Sequence, residues 1–156
     1  TAVQQGVPGK IGSTFTKGKG VYKITKRGKK PEVTYLRPAG KKAKSASIPA
    51  TVKYKGVTYK VTAIGPKAFS KWKKKLKKVT IGKNVKKIGK EAFKGCKKLK
   101  TIVIKTTNLK KKTMGKNAFK GIHASAKAKV PKKKLSAYKK ILKKAGIKGK
   151  KQKIVK

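Results

Sequence analysis

Three stretches of the chain repeat one order of apolar and polar positions. The segment VTAIGPKAFSKWKKKLKKVTIGKN aligns position by position with VKKIGKEAFKGCKKLKTIVIKTTN, and then with LKKKTMGKNAFKGIHASAKAKVP. Gly65, Gly89 and Gly115 lie 24 and 26 residues apart, and Phe69, Phe93 and Phe119 keep the same intervals. Leu76 to Leu99 and Ile81 to Ile104 are each 23 residues, because the first unit carries one extra residue around Trp72. Within the units, Leu76, Val79 and Ile81, then Leu99, Ile102 and Ile104, follow an L-x-x-V-x-I pattern. Its last three positions alternate as a strand with one buried face does. The Ala-Phe steps between strands supply the other wall of the core.

The flanks carry the pattern outward. SASIPAT matches KVTIGKN, with Ile48 in the place of Ile81, if VKYKGVTYK is an inserted hairpin turning at Lys55-Gly56. KGVYKIT and EVTYL read as two further strands, rich in β-branched and aromatic residues. Residues 15–60 are therefore expected to form an N-terminal β cap, with the inserted hairpin, over the open first edge of the repeats. Residues 1–14 are expected to be a loose lead-in. Residues 61–131 are the repeats, and 132–156 a capping helix and tail. In that last part Pro131 starts and Gly146 ends a helix whose Leu135, Tyr138, Ile141, Leu142 and Ala145 share one face. Residues 150–155 read as a final strand.

The residues I-G-x-x-A-F-x-x-C-x-x-L-x-x-V-x-I resemble the BspA-like leucine-rich repeats of bacterial surface proteins. The resemblance covers roughly residues 45–131, and the repeat interval lies within the range of about 20 to 29 residues for leucine-rich repeats. It implies an α+β chain: a short right-handed leucine-rich-repeat solenoid with an N-terminal β-sheet cap and a C-terminal capping helix. It also implies a secreted or wall-attached place on a bacterium, and adhesive roles. The lysine-heavy version is similar to those of Gram-positive anaerobes of gut or mouth. The repeat motif defines core positions and no binding residues, so no ligand follows from it.

Charge changes this picture most. Lys and Arg number 50 against two acidic residues, a formal charge of +48. So polar a chain would ordinarily repel itself into disorder, and the repeat pattern is what must overcome the repulsion. Only Arg27 and Arg37 are arginines. Lysine is a mobile point charge without arginine's bidentate fork, so the surface suits charge density rather than reading of nucleotide sequence. The single Cys96 cannot form an internal disulfide. No apolar run approaches the roughly 18 residues of a membrane span, so the chain is expected to be soluble, with any signal peptide or wall anchor outside it.

Most catalytic chemistry lacks its residues. The two acids, Glu32 in the β lead-in and Glu91 on a repeat turn, are expected to pair with neighbouring lysines rather than with each other. Cys96 follows Phe93 and Gly95 at an apolar position and reads as a small core residue, and His123 lies in a turn. A Cys-His pair would have no Asp as third member, and two soft ligands cannot hold structural zinc. GKGVYKITKRGKK has glycines among cations but neither phosphate-loop motif. No enzyme activity, cofactor, metal or small-molecule substrate is expected.

What remains is the cationic surface. The outward strand positions place Lys78, Thr80, Thr101, Val103, Lys105, Lys127 and Lys129 on the concave face, while KWKKKLKK, KGCKKLK and NLKKKT crowd the turns. The terminal helix adds Lys133 and Lys140 among others. A surface kept only for solubility would mix signs, and this one does not. Lys78, Lys105, Lys127, Lys129, Lys133 and Lys140 are thus the candidate polyanion-binding residues. The expected partners are anionic polymers: teichoic acid, acidic polysaccharide or glycosaminoglycan, with nucleic acid or acidic lipid as further candidates. Sequence-nonspecific nucleic-acid binding is the alternative, with Trp72, between lysines, as the candidate stacking residue. Two more readings are a structural spacer in a larger surface protein and membrane disruption by helix 132–145.

Overall fold

The computed structural model describes residues 9–156. Eleven strands and one α-helix follow in order: β1 (Thr14–Lys17), β2 (Gly20–Lys26), β3 (Glu32–Pro38), β4 (Ser45–Ile48), β5 (Thr51–Tyr54), β6 (Val57–Ile64), β7 (Lys78–Ile81), β8 (Lys87–Ile88), β9 (Thr101–Ile104), β10 (Lys127–Lys129), α1 (Leu135–Ala145) and β11 (Lys153–Val155).

The first sheet runs β1-β2-β3-β6-β5, with β8 pairing on β6. The hairpin expected at Lys55-Gly56 is present. Both turn residues have positive φ, 49° and 80°, the combination that lets a two-residue loop follow the twist of its strands. Of the expected lead-in, residues 1–8 lie outside the described residues. The remainder is tied down rather than loose: the Gly12 amide donates to the Ile24 carbonyl, the Ile24 amide donates to Ser13, and Thr14 opens β1.

The second sheet, β4-β7-β9-β10-β11, is parallel throughout. Ile48 stands opposite Ile81, and Ile81 opposite Ile104, so β4 is the first strand of this sheet as the SASIPAT match implies. β6 runs unbroken across residue 60, and the inserted hairpin and the first repeat share a strand.

The repeat pattern is carried into space as columns. Phe69, Phe93 and Phe119 are fully buried and stack at 4.8 and 4.9 Å between ring centroids. Tyr35 extends the stack into the first sheet at 5.7 Å from Phe69. Each Phe amide donates to the alanine carbonyl one repeat on: Phe69 to Ala92, Phe93 to Ala118. Phe119 finds Ala145 instead, at 2.9 Å. The end of α1 therefore stands where the next repeat would place its alanine.

Helix α1 obeys its sequence signals. A single 3-10 turn after Pro131 leads into it, and Gly146, at φ 125°, ends it. Tyr138, Leu142 and Ala145 are buried, with Leu135 and Ile141 packed at the edge. The Tyr138 hydroxyl donates to the Thr106 carbonyl at 2.8 Å and accepts from the Leu109 amide at 3.2 Å. The final strand is shorter than expected, three residues paired in parallel with β10.

Candidate functional site

Alternation along the parallel sheet points every second residue away from the core. Register then sets these residues in rows. Ser45, Lys78, Thr101, Lys127 and Lys153 are direct neighbours across the five strands, and Ser47, Thr80, Val103, Lys129 and Val155 form the next row. At a spacing of about 4.8 Å per strand, each row is about 19 Å long. Lys78, Lys127, Lys129 and Lys153 are exposed, and all project from one face. Lys105 continues this face just past β9, its amide held by the Ile81 carbonyl.

Three of the six lysines singled out by the sequence are thus brought into the two rows, and Lys105 beside them. Lys133, in the 3-10 turn, and Lys140, on α1, lie off them. Lys153 is the member that sequence reasoning missed. Its strand has three residues and no periodicity of its own, and only pairing with β10 places it opposite Lys127.

At the β4 end the rows run into a cleft of about 860 Å³ between the two sheets. Lys78 and Thr80 form one wall with Ser45 and Ser47, and Lys19 and Lys44 reach in from the neighbouring loops. Ammonium and hydroxyl donors converging on one concavity suit an oxygen-rich anion.

Trp72 corrects an expectation. It is 6% exposed, and its indole N–H donates to the Gly40 carbonyl at 2.7 Å. A ring held in that position has no face to offer a nucleic-acid base. Its lysine neighbours in sequence are exposed, which is why the tryptophan reads as a surface residue until the loop at Gly40 is in place.

The remaining reactive groups are held in local contacts. Glu32 accepts from the Thr62 hydroxyl at 3.0 Å and lies 3.9 and 3.7 Å from the Lys26 and Lys86 ammonium groups. Glu91 pairs with Lys94 at 3.2 Å, and that hydrogen bond holds its carboxyl below the usual range. Each acid is paired with lysine, as expected. His123 turns Nδ1 to the Ser125 amide at 2.9 Å. Among the described residues no three or more of His, Cys, Asp and Glu gather to hold a metal ion, and no helix is long and apolar enough to cross a membrane.

Cys96 is fully buried among apolar side chains, and burial pushes its thiol up to about 12. Thiolate is the reactive form. The folded chain should therefore resist iodoacetamide at pH 8.5 and be labelled at the ordinary rate in denaturant, with mass spectrometry as the readout. Because the folded pKa is raised, the stability linked to this group is intact below about pH 8.5, the unfolded thiol's pKa. It is lost as pH climbs toward 12. Fast labelling without denaturant would mean that Cys96 is not in a closed core.

Comparison with known proteins agrees with the fold. A family model described as BspA type leucine-rich repeat region matches residues 44–148 in six copies. The match reaches past the three units plainest in the sequence, through α1. Among solved structures the chain is similar to a leucine-rich cell surface protein from Faecalibacterium prausnitzii, at 22% identity and a TM-score of 0.57 over 77% of this chain and 37% of that one. It is also similar to a leucine-rich repeat protein from Bacteroides capillosus, at 21% identity and 0.56 over 91% and 98%. A third, from Bacteroides ovatus, gives 22% and 0.56 over 90% and 40%. The chain thus spans less than half the length of the first and third. No curated protein matches it. Its sheets and the short helix α1 are a leucine-rich-repeat fold, and the chain belongs to the BspA-type leucine-rich repeat family.

Proposed function

We propose that this chain is a non-enzymatic module of a bacterial cell-surface protein that holds anionic polymers along the outward face of its parallel sheet. Wall teichoic acid, acidic polysaccharides and glycosaminoglycans are the polymers that fit. In this reading the repeats wind as a right-handed solenoid, the first sheet and α1 cap its ends, and the lysine rows lie on its concave face. The setting is the secreted or wall-attached one of a Gram-positive anaerobe.

The observation that carries the proposal is the register that sets Lys78, Lys127, Lys129 and Lys153 on one face. The rows end at the cleft where Lys78 meets Ser45, Ser47 and Thr80. A polymer laid along the rows meets cations and hydroxyls in turn, and each phosphate, sulfate or carboxylate neutralised releases a condensed counterion. Four such contacts make affinity fall by about 50-fold between about 0.05 and 0.2 M salt, on the single-strand slope of roughly −0.7 per contact. The buried Trp72 leaves the nucleic-acid alternative without its stacking residue.

The test is calorimetric binding of teichoic acid, heparin and single-stranded DNA across a salt series. One variant carries Lys78→Glu, Lys127→Glu, Lys129→Glu and Lys153→Glu; a control carries Lys71→Glu, Lys74→Glu, Lys97→Glu and Lys98→Glu on the turns. The row variant is expected to lose most of the affinity and flatten the salt slope, the control to keep most of both. Equal losses would mean diffuse charge and no binding face. A preference for DNA would favour the nucleic-acid reading, and affinity indifferent to salt would remove the mechanism.

A further inference from the structure

Away from the lysine rows, α1 and the segment Lys111–Lys116 enclose a trough of about 780 Å³. Its floor is apolar: Ala137, Ile141 and Ala145 from one side of α1, with Met114 and Gly115 opposite. From Ala137 to Ala145 the helix rises about 12 Å, the length of an extended alkyl chain of roughly ten carbons. The small alanines flank Ile141 and keep the trough open at both ends of that length. Lys111, Lys116, Lys140 and Lys144 line its rim.

The polar side chains of this lining are all lysines, which donate and cannot accept. An extended peptide laid in the trough would bring amide N–H groups with no side-chain acceptor to meet them, and leaving them buried and unpaired is costly. A hydrocarbon chain brings no such groups, and a carboxylate at its end is an acceptor matched to the rim. We propose that the trough binds a monomeric medium-chain carboxylate, its alkyl chain along Ala137, Ile141 and Ala145 and its head between the rim lysines. This site is separate from the sheet face, so neither reading depends on the other.

The test is titration calorimetry with sodium laurate below its micelle concentration, followed by amide chemical shifts. One saturable site is expected, with shifts centred on Met114 and Ile141. Octanoate, whose alkyl chain falls about three carbons short of the trough, should bind at least about tenfold more weakly. Butyrate and dodecyl maltoside, the head alone and the chain under a neutral head, should bind weakly or not at all. Ala137 is exposed, so Ala137→Trp can fill the trough while circular dichroism shows the fold intact. It should cost at least about tenfold in laurate affinity. Lys140→Glu with Lys144→Glu should do the same through the head. Several results would overturn the proposal: equal binding by the folded Ala137→Trp variant, many laurates per chain, shifts elsewhere, displacement by an acidic peptide that binds more tightly, or binding only to phosphatidylglycerol vesicles.

Discussion

Gly115→Ala is expected to lower stability by about 3 kcal/mol or more, at the upper end of overpacking costs. The reason is backbone, not side chain. A Cβ on Gly115 would run into the Gly89 carbonyl carbon and the Lys90 nitrogen, and one on Gly89 would meet the Gly65 and Pro66 backbone in the same way. Here the column is held by amide hydrogen bonds, Gly89 to Ile64 at 2.8 Å and Gly115 to Ile88 at 2.7 Å. A methyl group between successive repeats would stretch these bonds, and nothing flexible lies nearby to give way. Gly40→Ala is the control, because a Cβ there meets nothing within 4 Å. It should stay within about 0.5 kcal/mol of the parent. Urea unfolding followed by circular dichroism measures both. If Gly115→Ala unfolds with the parent, the repeats are not in this close contact.

Phe93→Ala is expected to cost about 3–5 kcal/mol, the range for removing a buried aromatic ring. At this chain length that lowers the melting temperature by about 10 °C or more. The ring is fully buried and stacked on both sides, by Phe69 at 4.8 Å and Phe119 at 4.9 Å. In a stack of repeats stability is a sum over neighbouring interfaces, and the central residue serves two of them. Phe93→Leu keeps much of the volume and loses the stacking, and should fall between the parent and the alanine variant. Scanning calorimetry gives the order. A Phe93→Ala variant that melts within a degree or two of the parent would show that the aromatic column does not hold the repeats together.

Both columns are legible in the amino-acid sequence, since Gly65, Gly89, Gly115 and the three phenylalanines recur at one pair of intervals. The left-handed backbone beside them is not. Lys67, Glu91 and Asn117 share φ values of 54°, 56° and 57°, yet lysine and glutamate carry no signal for that conformation. It is imposed by the stacking of the repeats, at a cost of about 1–2 kcal/mol for a non-glycine residue.

What the sequence determined by itself was local or periodic: strands that alternate, a turn at Lys55-Gly56, a helix bounded by Pro131 and Gly146, Cys96 on the apolar side, and a surface of one sign. Contacts between groups outside the repeat columns come from the tertiary fold alone. Trp72 is buried because the Gly40 carbonyl, 32 residues away, caps its N–H. Lys153 joins Lys127 because a short strand completes the sheet edge. The trough exists because α1 docks beside Met114 and Gly115. Periodicity specifies which side of an element is buried. Outside the repeats, the elements brought side by side are set by long-range hydrogen bonds and packing, which leave no pattern within the segments they join.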